Sequence, residues 1–111
     1  MIDERKLKIR IGVVKRTSKE LEMYKEEVVK ETEKYEAYVR DKNPRAGQQK
    51  AVAAESKSMV ENTFLRLDRG LADLKKAIDE AKDDPVLTLT PTYAEAVALV
   101  PTVEIVLAGE E

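Results

Sequence analysis

The sequence predicts an all-α protein, an elongated antiparallel three-helix bundle. Three observations carry that expectation. Charged residues make up 38% of the 111 and aromatic residues only 5%, the balance of long solvated helices rather than of a sandwich or barrel. Apolar residues make up 42%, enough for a core. They recur at steps of three and four over two stretches that Pro interrupts only at their ends. One domain covering residues 1–111 is expected from the length.

The first helix is expected over about 3–42. This stretch has no Pro, and Leu7, Ile11, Val14, Leu21, Val28, Tyr35 and Val39 share one face. Such a helix spans ~60 Å. Glu26 with Lys30 and Glu36 with Arg40 are i,i+4 pairs in the favourable order. Gly12 costs about 1 kcal/mol relative to Ala inside a helix. Either another backbone approaches closely there, or the cost is simply tolerated.

Asp41-Lys42-Asn43-Pro44 breaks the pattern. Asn is a good N-cap, and Pro suits the first helical position because its missing N–H would be unpaired anyway. Gly47 could move the start a few residues on. A short turn sends the second helix, about 44–82, back antiparallel. Its seam is Val60, Phe64, Leu67, Leu71, Leu74, Ile78 and Ala81, continued upstream by Val52, Ala53, Ser56 and Met59. Asp83-Asp84-Pro85 ends it as turn chemistry.

Residues 86–111 are read in two ways. Val86 to Thr90 alternates and fits an extended segment. Thr92 with Glu95 reads as a capping box opening a third helix, about 91–108, along Ala96, Val100, Val103 and Leu107. Pro101 removes one hydrogen bond, so a kink, break or early stop is expected near residue 100. The β-branched residues of this stretch also fit a hairpin.

The composition narrows the chemistry. There is no Cys and no His, which removes disulfides, Cys-ligated zinc, the thiol nucleophile, the usual general base and the commonest metal ligand. Ser56 and Ser58 therefore have no His to activate them, and no nucleotide-binding glycine motif is present. No catalytic residue, metal site or cofactor is expected. An enzyme using carboxylates alone is the weakest reading. No stretch approaches the ~20 apolar residues of a membrane span. The first residues lack the apolar run of a signal peptide. A reducing compartment, the cytosol, is expected, with no membrane partner.

Net charge is −2 but uneven. Residues 1–19 hold 7 basic and 2 acidic side chains, and residues 83–111 hold 6 acidic and none basic. Pairing of the basic start with the acidic end inside one fold is one meaning. A two-signed surface for a charged partner is the other. Nucleic acid is not expected, because the basic stretch is short and lacks interleaved aromatics.

Leu7 to Arg16, containing Gly12-Val13-Val14-Lys15-Arg16, followed by Lys19-Glu20-Leu21-Glu22-Met23-Tyr24, resembles the opening of the tubulin-binding cofactor A family. Glu55-Ser56-Lys57-Ser58-Met59, the apolar positions Leu67, Leu71, Leu74 and Ile78, and Tyr93-Ala94-Glu95-Ala96 resemble later parts of that family. The chain departs from it in a compact first turn, in Pro101, and in an apolar Val103–Ala108 stretch where the family is more charged. The resemblance implies a three-helix bundle that captures β-tubulin after release from the chaperonin. It holds the client near-native and passes it to later tubulin-folding cofactors for assembly with α-tubulin, using no nucleotide. A cytoplasmic, cytoskeleton-associated protein is implied. The alternative is a non-enzymatic helical adaptor for another protein.

A helical wheel supplies candidate contact residues. Ile9 and Met23 fall nearly opposite the Leu7 seam, and Leu65 falls well away from the Val60 seam. Val13 and Tyr38 lie on a flank that a third helix can cover. Arg16 and Lys19 point outward, and with Lys15 they form a cationic rim. The expected partner-binding residues are thus Ile9, Lys15, Arg16, Lys19, Met23 and Leu65. Monomer and homodimer both remain open, because a second copy could complete the seam.

Overall fold

The computed structural model describes residues 2–109. They form three α-helices, α1 (Glu4–Arg40), α2 (Ala46–Ala81) and α3 (Pro91–Ala108), with a 3-10 turn at Leu87–Leu89 before α3. No strand occurs among the described residues, so the hairpin expected as an alternative for the last segment does not form.

Local chemistry sets each helix end. The Asp3 carboxylate accepts the Lys6 N–H at 2.8 Å and opens α1. At its far end the Asn43 N–H donates to the Tyr38 carbonyl at 2.8 Å and the Lys42 N–H to that of Val39 at 3.1 Å, with Lys42 at φ 55. This is a Schellman stop, with lysine in the left-handed position that glycine usually fills. The Asn43 side chain then accepts the Arg45 N–H at 2.8 Å. Pro44 and Arg45 are spent in this turn, so α2 begins two residues later than the Pro-based expectation.

Two expectations for residues 86–95 are corrected. The Asp84 carboxylate accepts the N–H groups of Val86 at 3.0 Å and Leu87 at 3.1 Å. That winds the chain into the 3-10 turn instead of an extended run. Thr90, not Thr92, caps α3: its hydroxyl accepts the Tyr93 N–H at 3.1 Å and donates to the Leu87 carbonyl at 2.7 Å. Pro91 follows at the first helical position, and Thr92 is buried inside the helix.

α3 also runs unbroken through Pro101, without the early stop. The hydrogen bond lost is the one Pro101 would give to the Val97 carbonyl. Both residues are exposed, so water can take that carbonyl, while buried Ala96 and Val103 hold the helix on either side. At 18 residues, with Glu95 and Glu104 its only charges, α3 has the length and composition of a short membrane span, contrary to the expectation that no stretch comes near one. Here it is tied to its neighbours: Lys15 of α1 pairs with Glu95, and Lys75 of α2 with Glu104 at 3.3 Å.

The contacts divide the described residues into two units. The bundle unit holds residues 2–18 and 64–109, and the hairpin unit residues 19–63. In the bundle unit Leu7, Ile11 and Val14 of α1, Leu67, Leu71, Leu74, Ala77 and Ala81 of α2, Leu87, and Ala96 and Val103 of α3 are buried. At ~1.5–3 kcal/mol for each fully buried large aliphatic side chain, this is where the apolar driving force lies. Arg10 of α1 meets Asp73 of α2 at 3.7 Å, and Val13 and Val14 lie against Gly70, so the two helices run antiparallel here.

The hairpin unit is built differently. Leu21 and Ala53 are its buried apolar residues, beside buried Gln49, Ser56 and Thr63. Gln49 donates to the Glu31 carbonyl at 3.0 Å and to its carboxylate at 2.6 Å, linking α1 to α2. Ser56 and Thr63 donate back to the carbonyls of Val52 and Met59, at 3.2 and 2.7 Å. The expected seam weakens in this unit. Val28, Tyr35 and Val60 are half-buried, while Val39 and Val52 are exposed, because polar and small residues occupy the facing positions.

Candidate partner-binding surface

Long helices whose cores take only part of their apolar side chains leave the rest to solvent, and the exposed ones are the starting point for a surface. In the bundle unit Ile9 is 54% exposed and Leu65 56%. In the hairpin unit Met23 is 60% exposed. All three stand where the helical wheel puts them. Val13 and Tyr38 are half-buried.

The cationic candidates separate. Lys15 pairs with Glu95 of α3, and about half of its side chain stays exposed. Arg16 is exposed and forms no ion pair among the described residues, and its guanidinium lies beside Gly12. Lys19 is exposed in the hairpin unit. The basic start and acidic end do meet, through Lys15 and Glu95, but most of the basic side chains of residues 5–19 face water.

Wheel reasoning missed a further exposed group. Val86, Leu89 (85% exposed) and Ile105 (74%) lie in the bundle unit, on the 3-10 turn and α3. The only signal for them was the scarcity of polar residues in 86–108, which fits burial equally well.

No three His, Cys, Asp or Glu side chains among the described residues could hold a metal ion. The Ser56 and Ser58 hydroxyls donate to carbonyls of their own helix, at 3.2 and 3.4 Å. The Asp84 carboxylate is spent on the turn before α3. The arrangement offers apolar and cationic side chains on helix faces, which suits it to binding.

The family model for tubulin binding cofactor A matches residues 3–100. The chain belongs to the tubulin-binding cofactor A family. It is 38% identical over 82 residues to the tubulin-folding cofactor A of Arabidopsis thaliana, covering 71% of this chain and 72% of that one. Against the tubulin-specific chaperone A of Rattus norvegicus it is 33% identical over 81 residues, covering 71% and 75%. Against that of Mus musculus it is 30% identical over 103 residues, covering 91% and 93%. The crystal structure of tubulin folding cofactor A from Arabidopsis thaliana superposes with a TM-score of 0.80 at 33% identity, over 91% of this chain and 94% of that one. The family match ends at residue 100, before the exposed Ile105.

Proposed function

We propose that this protein is a tubulin-folding chaperone. It binds β-tubulin released from the chaperonin, holds it in a near-native state, and hands it to later tubulin-folding cofactors for assembly with α-tubulin. It works in the cytoplasm beside the cytoskeleton, without nucleotide, metal or catalytic step. The observation that carries this reading is the family match over residues 3–100, with relatives named tubulin-specific chaperone A and tubulin-folding cofactor A.

The surface chemistry supports the same reading. Ile9, Met23 and Leu65 offer apolar contact on helix faces, and Arg16 and Lys19 offer positive rim charge suited to an acidic client. Rim charges act mainly on the rate of encounter. Lys15 adds to this rim from a solvent-exposed pair with Glu95. The test is to immobilise the protein and offer purified α-tubulin and β-tubulin separately. Retention of β-tubulin and not α-tubulin is expected. Retention of neither, or of α-tubulin instead, would overturn the proposal and leave a helical adaptor for another partner.

A further inference from the structure

Gly12 sits in the middle of α1, where glycine is among the worst helix formers. Close approach by another part of the chain would justify it, as at Gly70, where a Cβ would meet the Val13 and Val14 side chains at 3.7 Å. At Gly12 no such neighbour exists. A Cβ there would meet only the far end of the flexible Arg16 side chain, at 3.4 Å. In the free protein the Arg16 guanidinium lies against this position; as the end of a flexible side chain it can swing aside, either for a methyl group at residue 12 or toward a client's carboxylate.

What surrounds this notch is specific. Arg5, Ile9, Gly12 and Arg16 follow one another at steps of four, three and four, so they form one stripe along α1, within the bundle unit. Arg5, Ile9 and Arg16 are exposed. Other basic residues of this part of α1 are engaged inside the molecule: Lys8 with Glu4, Arg10 with Asp73, and Lys15 with Glu95. Arg5 and Arg16 have no ion pair among the described residues. They stand three helical turns apart, ~16 Å, on nearly the same side of the helix. Between them lie an exposed isoleucine and the notch.

We infer that this stripe is the docking surface for an acidic, apolar segment of the client, whose carboxylates reach Arg5 and Arg16 while its backbone or a small side chain seats in the notch at Gly12 beside Ile9. The choice of occupant follows from charge. Two guanidinium groups without an ion pair among the described residues, flanking an apolar contact, fit carboxylates, and guanidinium binds them through paired hydrogen bonds. A second copy of this chain would bring its own arginines against these. The inference rests on the client reading above and adds to it the chemistry of the segment and the place where it lands.

The decisive variant is Gly12→Ala, because fold and docking predict opposite signs. Alanine should raise the melting temperature by ~4 °C, as expected for a better helix former in a domain of this size. It should weaken binding of β-tubulin at least roughly ten-fold by filling the notch. Arg5→Glu/Arg16→Glu should weaken binding by a similar factor and flatten its salt dependence. Both variants binding within about two-fold of the parent protein would overturn the inference while leaving the client reading intact. If the parent protein does not bind β-tubulin, the client reading fails. The stripe is then judged on a synthetic alanine-leucine helix carrying two glutamates eleven positions apart, with its lysine counterpart as control. Preference for the glutamate helix, lost in Arg5→Glu/Arg16→Glu, would uphold the stripe, and equal binding of the two helices would sink it.

Discussion

Lys42 closes α1 in a left-handed conformation at φ 55, which costs a residue with a Cβ about 1 kcal/mol. Lys42→Gly should therefore stabilise the protein by ~1 kcal/mol, read from the midpoint of denaturant unfolding. No change would mean that the Asn43 side chain and the two stop hydrogen bonds already absorb the strain. At the end of α2, Lys82 has its pKa raised, first by its hydrogen bond to Asp79 and then by that carboxylate's charge. A raised pKa in the folded state stabilises fully below the ordinary value of 10.5 and fades as pH rises through the raised one. Asp79→Asn should remove most of the shift in an amine titration followed by NMR, leaving the smaller contributions of Asp83 and Tyr93, with little effect on folding because the pair is solvent-screened. Outward residues such as Ile9, Met23 and Leu65 were legible in the sequence, since a helical wheel needs only the period. That the basic start pairs with the acidic end was one of two readings of the charge distribution; that Lys15 and Glu95 are the residues that meet was not legible, because they stand eighty positions apart across a packing that no local pattern encodes.

The three helices differ in what holds them. α3 depends on its Thr90 cap and on a few buried contacts. Thr90→Ala removes both the cap to Tyr93 and the bond to Leu87, and should cost ~1 kcal/mol. Amide exchange should place that loss in the first turn of α3. α1 and α2 each run from an apolar environment in the bundle unit to a polar one in the hairpin unit. Amides of residues 24–35 and 46–58 should thus exchange faster than those of 7–16 and 67–78. Uniform protection along both helices would contradict this. The long helices and the bundle seam could be read from the sequence because apolar residues at steps of three and four leave little alternative. The segment before α3 could not. There the Asp84 and Thr90 side chains compete for backbone groups and decide between a turn and a strand, while Pro101 survives at a position where both it and Val97, whose carbonyl it leaves unbonded, are exposed residues.

At the scale of the molecule, helix faces present apolar and cationic side chains, and the family is that of a tubulin-folding cofactor. A binding protein of this kind should change its client's fate without changing its covalent structure. Reversing Arg16 and Lys19 together to Glu should slow association with β-tubulin at low salt and matter less as salt rises. An on-rate that ignores both the reversal and the salt would remove those residues from the rim. The measurement that bears most directly on the whole account is light scattering of β-tubulin diluted from denaturant, with no nucleotide added. The account predicts that this protein, at amounts comparable to the client, suppresses the rise in scattering and keeps β-tubulin soluble. Scattering that climbs unchanged in its presence would contradict it.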